Sequence, residues 1–332
     1  MSDAALKVRM TTALRAPPHS LAWCGAEAGV FNQLGIDVTF PVIETTGPEA
    51  VHGLVRGEWD FCQTGTLPVV ENVLNGGDAV VLFRNALQHD NLCIALRPGL
   101  TTLAELHGKR VGVLSDATSG QTGINARLTI EGEGATATYV GLGGYGNIYK
   151  ALAAGDIDAG PLPLHLRFAG ERQYGWKTLG LKFGGAIPSV FATTRNLIAT
   201  NRELVLRVAQ GFIRTVHTFK TQPEVYVPLL QRFLQMSERE LVQDQVRFYL
   251  PLFPQVPRMA LSAEGLQAIR NTFAKTYPAA QKLQEADFVD SSIVDELERS
   301  GFIAKLYESP DHDVLAVSGV GGRGRVDARG ME

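Results

Sequence analysis

Apolar positions along this chain switch repeatedly between a period of two and a helical period. From Leu6 to Ala13 (LKVRMTTA) apolar and polar residues alternate, which predicts a strand. Two prolines in Arg15 to His19 (RAPPH) end it, because proline has no N–H to give a ladder. Ser20 to Leu34 then carries Leu21, Cys24, Val30, Phe31 and Leu34 roughly on one face, which predicts a helix capped by Ser20. Gly35 closes that helix, and Ile36 to Val42 predicts the next strand. The same rhythm continues with a helix over Pro48 to Arg56, a short buried strand ending at Cys62, a loop at Gln63 to Thr66 and a helix over Leu67 to Asn75. Two apolar strands follow, Ala79 to Asn85 and Leu92 to Leu96.

A second series begins with a strand over Arg110 to Leu114, a turn over Ser115 to Gly120 and a helix from Gln121. Ala137 to Val140 predicts a strand and Gly141 to Gly146 a glycine loop. Ile148 to Ala154 predicts a short helix, and Ile157 to Gly160 enters a strand closed by Pro161-Leu162-Pro163. Ala186 to Thr193 is extended. Helical spacing then runs over 201–221, 237–249, 262–276 and 290–305. The basic, glycine-rich end from Gly319 predicts a disordered tail over 319–332. Strands alternating with helices predict an α/β fold with a parallel sheet in each of two lobes. Leu87 to Cys93 and Gly185 to Thr193 are the stretches able to cross between them. The expected division is 1–90 with 190–318, including the C-terminal helices, and 91–189. Ligand is expected between the lobes at the strand ends, with the two crossovers as a hinge.

Composition narrows the function classes. With 332 residues the chain is long enough for two cores, and 45 % apolar against 20 % charged residues is an ordinary globular balance. A formal net charge of −3 argues against a general nucleic-acid surface. Cys24, Cys62 and Cys93 form no C-x-x-C pair and lie in or beside apolar runs, which predicts buried free thiols. Met1-Ser2-Asp3 opens no basic-then-apolar export signal, and no apolar run reaches about 18 residues. A cytoplasmic location is therefore expected, or a periplasmic one if a signal has been removed. Histidines 19, 52, 89, 107, 165, 217 and 312 show no zinc spacing, so no metal or cofactor is expected.

Four segments together resemble the SsuA/THI5-like (NMT1) family of substrate-binding proteins. They are Trp23 to Phe31 (WCGAEAGVF) with Leu34-Gly35-Ile36-Asp37-Val38, Gly57 to Phe61 with Gln63 to Pro68, Leu103 to Val113 (LAELHGKRVGV), and Ala151 to Ala159 (ALAAGDIDA). The resemblance spans roughly residues 6–220 and implies a two-lobed, clamshell periplasmic-binding-protein fold of type 2. It implies transport binding of a small organic anion (an aromatic carboxylate, a sulfonate or a pyrimidine-like compound), with an ABC-transporter permease as partner. It also implies a minority of enzymes on the same scaffold, among them sulfinate desulfinases, pyrimidine synthases and aromatic-acid decarboxylases. The desulfinases use a cysteine in the loop after the first strand; here that loop holds Arg15-Ala16-Pro17-Pro18, and the cysteine-rich motif of the synthases is absent. The alternative function is thus a cytoplasmic lyase, a decarboxylase acting on an aromatic acid.

In such a fold the loops after strands carry the ligand contacts. Arg15 can pair bidentately with a carboxylate or sulfonate, against the bland reading of a solvated charge. His19 can donate or shuttle a proton, as can His89 beside Asp90, and these two are the catalytic candidates if the protein is an enzyme. Thr45, Thr46, Gln63, Thr64, Gly65 and Thr66 offer hydroxyl, amide and backbone groups that can equally cap the helices they precede. Gln88 joins His89 on the first crossover. Ser115, Thr118 and Ser119 precede a helix, where free N–H groups favour an anion, although Asp116 opposes one. Gly141 to Gly146 fits G-x-G-x-x-G, but its helix is short and no acidic strand end follows at the dinucleotide spacing. Gly144 and Tyr145 are better read as a ligand loop, with the tyrosine as an aromatic lid.

Overall fold

The computed structural model describes residues 5–86, 92–114, 121–181 and 189–308. The chain divides into two compact units, one formed by Met1–Leu87 with Ala186–Glu332 and the other by Gln88–Gly185. The first unit opens with β1 (Leu6–Thr12), α1 (Leu21–Glu27), β2 (Ile36–Ile43), α2 (Gly47–Val55), β3 (Phe61–Thr64), α3 (Thr66–Leu74) and β4 (Ala79–Arg84). The second holds β5 (Leu92–Leu96), β6 (Arg110–Val113), α4 (Gln121–Glu131), β7 (Thr138–Gly141), α5 (Tyr145–Ala154), β8 (Ala159–Pro163), α6 (Leu164–Tyr174) and β9 (Lys177–Gly180). The chain then returns through β10 (Val190–Thr194) into α7 (Arg195–Thr200), α8 (Arg202–Thr221), α9 (Pro223–Leu234), α10 (Arg239–Tyr249), α11 (Ala263–Phe273), α12 (Ser292–Arg299) and α13 (Phe302–Glu308).

Each unit has its own five-stranded sheet, ordered β2-β1-β3-β10-β4 and β7-β6-β8-β5-β9. The expectation of parallel sheets needs correcting, because one strand in each runs the other way. β10 is antiparallel to both β3 and β4, and β5 is antiparallel to both β8 and β9. Each reversed strand is the first described element after the chain passes from one unit to the other. β10 also has a positional effect. Val190 pairs with Thr64 and with Arg84, so the start of β10 lies beside the C-terminal ends of β3 and β4.

Other departures from the expected elements have local causes. The helix expected over Ser20 to Leu34 stops at Glu27, and Gly29 turns left-handed at φ 76°. The Ser20 side chain makes no cap bond to α1. β8 runs on through Pro161 and Pro163 where those prolines were expected to close it. Its register with β6 is confined to Ala159, so the missing N–H groups leave no ladder incomplete on that side. α6 and α9 were not expected.

The first unit's sheet is anchored by four phenylalanines from β3, β4, β10 and α8. Phe83 stacks on Phe191 at 4.9 Å, Phe61 on Phe191 at 5.5 Å, and Phe212 lies 4.7 Å from Phe83. The opposite face carries Val69, Val81, Val190, Ala192, Ile269 and Phe288 in a second cluster. In the second unit, Ile94, Leu96, Leu106, Val111 and Ile130 pack on one side and Ile148, Leu152, Leu162 and Trp176 on the other. Two covered faces per sheet hold the strand ends, and hence the loops beyond them, in fixed places.

Candidate functional site

The loops at the C-terminal edge of the first unit's sheet meet at a turn of two prolines and a histidine. Pro17–His19 forms a 3₁₀ turn that is buried throughout. Its backbone carbonyls are the anchor points. Pro17 O accepts from the Ser20 hydroxyl at 2.7 Å and from the Tyr226 hydroxyl of α9 at 3.3 Å. Those two hydroxyls lie 2.7 Å apart. Pro18 O accepts from Gln63 Nε2 at 3.1 Å and, more weakly, from the Ser189 hydroxyl at 3.5 Å. Gln63 Oε1 in turn accepts from the Ala22 N–H at 3.2 Å, so one amide fixes both the turn and the start of α1. Ser189 also takes two bonds from Asn85, backbone N–H to carbonyl at 3.0 Å and Nδ2 to the hydroxyl at 2.8 Å.

His19, the side chain this scaffold holds, is 3 % exposed. Burial pulls its pKa down to about 4, and the nearby Thr64 backbone opposes that shift only in part. Among the described residues neither ring nitrogen has a partner at hydrogen-bond geometry, and Asn85 Oδ1 has none either. The imidazole is therefore neutral at pH 7, with one donor and one acceptor to offer.

Arg15 lies two residues ahead of the turn. Its Nε donates to Glu44 Oε2 at 3.0 Å and its Nη1 to the Phe233 carbonyl at 2.6 Å, with the guanidinium 5.8 Å from the centre of the Phe233 ring. The Phe233 carbonyl belongs to the last turn of α9, where the helix has no N–H of its own to offer. Glu44 follows β2 and sits at φ 73°, a left-handed conformation uncommon for a residue with a side chain. Its N–H and that of Thr45 both donate to Thr12 O, which closes the two adjacent strand ends onto each other. Thr46 forms a full capping box with Glu49 at the start of α2, and Thr45 donates to the Thr46 carbonyl at 3.0 Å. Thr64 donates to the Gly47 carbonyl at 3.4 Å, Gly65 is the cap residue of α3, and Thr66 is buried in its first turn.

A protein-family model described as NMT1/THI5 like matches residues 16–224. The chain belongs to the NMT1/THI5-like family. Solved structures agree on the fold. The alkanesulfonate-binding protein SsuA from Xanthomonas axonopodis pv. citri, bound to MOPS, has a TM-score of 0.66 at 18 % identity, over 87 % of this chain and 99 % of that one. The periplasmic aliphatic sulphonate binding protein SsuA from Escherichia coli scores 0.64 at 16 % identity, over 87 % and 92 %. A variant of DszB in complex with biphenyl-2-sulfinic acid scores 0.65 at 17 % identity, over 89 % and 99 %. At such identities the likeness carries the α/β fold of the type 2 periplasmic binding proteins and nothing finer. No curated protein matches the chain in sequence. The cytoplasmic and lyase expectations draw no support from these comparisons. Among the described residues no helix is long and apolar enough to cross a membrane.

In this NMT1/THI5-like chain the expected site residues fall into three groups. Arg15, His19, Thr45, Thr46, Gln63, Thr64, Gly65 and Thr66 come together along one edge of the first unit's sheet. Gly144 and Tyr145 lie in the second unit, as cap and first residue of α5. The Tyr145 hydroxyl is 3.2 Å from Thr122 Oγ1 of α4, and its ring packs with Ile148, Leu152 and Trp176. That ring is half-buried and tied at its tip. Gln88, His89, Ser115, Thr118 and Ser119 lie outside the described residues.

All three cysteines are buried and free, and burial pushes each thiol's pKa upward. They stay protonated at neutral pH, which is poor preparation for a nucleophile. Among the described residues no group of three or more His, Cys, Asp or Glu side chains is placed to hold a metal. Five residues of this edge were not foreseen: Glu44, Asn85, Ser189, Tyr226 and Phe233. Two had a faint signal, since Asn85 closes an apolar run and Ser189 interrupts one; Tyr226 and Phe233 had none.

Proposed function

We propose that this protein is a substrate-binding protein that captures a small organic anion at the C-terminal edge of the first unit's sheet and hands it to an ABC-transporter permease. The observation that carries the reading is the His19 turn. A neutral, buried histidine, whose ring nitrogens find no partner at hydrogen-bond geometry among the described residues, stands on a turn whose backbone is fixed by Gln63, Ser20, Tyr226 and Ser189, which is how a recognition group is prepared before its ligand arrives. Arg15, a short step along the same loop, supplies the positive charge. The family membership and the sulfonate-binding neighbours favour carboxylates and sulfonates as the class to try first.

The test is a thermal-shift screen against arylsulfonates, alkanesulfonates, aromatic carboxylates and pyrimidines. A ligand that binds only the folded chain raises the melting temperature, by an amount that grows with its concentration. A hit whose shift shrinks in His19→Asn supports the proposal. A screen in which no member of any class moves the transition sinks it. Each hit is also followed by mass spectrometry. Consumption of the hit would make the protein an enzyme and not a carrier.

A further inference from the structure

The guanidinium that the proposed function relies on is already occupied, and by a carboxylate from the protein itself. Arg15 is fixed on one side by the Phe233 carbonyl through Nη1 and by the Phe233 ring beneath it. That leaves the edge formed by Nε and Nη2, the pair of parallel donors that carboxylates and sulfonates take with two oxygens. Glu44 sits on this edge but uses only half of it, with a single Nε–Oε2 bond at 3.0 Å. The two partners are also unequally held. The Arg15 side chain is 21 % exposed and the Glu44 side chain 55 % exposed. Glu44 reaches Arg15 from a left-handed backbone that disfavours any residue with a Cβ. A two-oxygen ligand would form two bonds where Glu44 forms one, and would release a carboxylate that already stands half in water.

We propose that Glu44 is a specificity-determining residue that occupies Arg15 in the empty protein and is displaced by the anionic group of the ligand. This rests on the proposed function, since it takes Arg15 as the anion contact. Glu44 then sets a threshold. An anion that offers only one oxygen cannot outcompete a carboxylate tethered beside the guanidinium, whereas a bidentate one can. Neutral isosteres, which make no claim on the charge, gain nothing from Glu44 leaving.

The experiment compares the full-length protein with Glu44→Gln, Glu44→Ala and Arg15→Gln, titrated with two matched pairs, benzenesulfonate with benzenesulfonamide and benzoate with benzamide. The expected result is a gain of about threefold to tenfold in anion affinity in both Glu44 variants, with the neutral partners unchanged. Arg15→Gln should remove the preference for the anions. The inference is overturned if anion affinity is unchanged or lower in both Glu44 variants, if neutral and anionic partners gain equally, or if the preference survives Arg15→Gln. Wild-type binding of the anions without a gain in the Glu44 variants would overturn this inference alone. Failure of every anion to bind any variant would remove the proposed function and this inference with it.

Discussion

His19 sets a dependence of stability on pH that can be worked through from its environment. The folded-state pKa is about 4 and the ordinary value 6.5. Above pH 6.5 the ring is neutral whether the chain is folded or not, and the full stability is present. Between pH 6.5 and 4 the unfolded chain takes up a proton that the folded chain refuses, so stability falls through that window, by about 3 kcal/mol in all. His19→Asn should flatten this part of the pH profile. Urea denaturation of both proteins at pH 7.5 and pH 4.5 measures it, and equal losses in the two would show that the ring is not buried as described. The sequence marked this residue, and Arg15, because polar side chains just after a strand and around a proline pair stand at a strand's C-terminal end. It could not show their partners. Glu44, Ser189, Tyr226 and Phe233 lie between 29 and 218 positions away from the residues they hold. Such pairings are set by tertiary packing, which leaves no local trace.

At the scale of elements the legible parts were those with an uninterrupted period. β1, β4 and α8 were foreseen nearly residue for residue because alternation, a solid apolar run and a long amphipathic pattern each admit one reading. α6 and α9 were missed because prolines stand at their starts, and α9 carries Pro228 in its interior as well. The direction of β10 was not legible, since antiparallel and parallel buried strands share one pattern. Contact between α1 and α8 brings a different kind of prediction. A Cβ on Gly25 would meet Thr215 Oγ1 at 2.1 Å, and that hydroxyl is held by the Gly211 carbonyl at 2.8 Å. Gly25→Ala should therefore destabilise the protein by about 1–3 kcal/mol through overpacking. Gly146 in α5 faces open space at an ordinary helical conformation, so Gly146→Ala should stabilise by about 0.5–1 kcal/mol. Chemical denaturation midpoints of the two variants should move in opposite directions; a common direction would contradict the close approach of α1 to α8.

The whole molecule is two sheets with separate cores, and one of its units is a continuous stretch of chain. Residues 88–185 carry a complete five-stranded sheet with apolar clusters on both faces. Expressed alone, this segment should fold, giving a cooperative thermal transition and dispersed amide signals. A broad, non-cooperative melt would mean that it depends on the rest of the chain. The first unit has no such independence, and β10 is the reason. This strand occupies the slot between β3 and β4, yet it is made after the whole second unit. On the ribosome the early strands must wait with that slot open, β3 bare along one edge and β4 without a neighbouring strand, while about a hundred further residues emerge, which takes about 5–20 s at ordinary rates of synthesis. During that interval the molecule is a folded inner segment carrying an unfinished outer one, and it is most open then to chaperones and to wrong partners for the waiting edge.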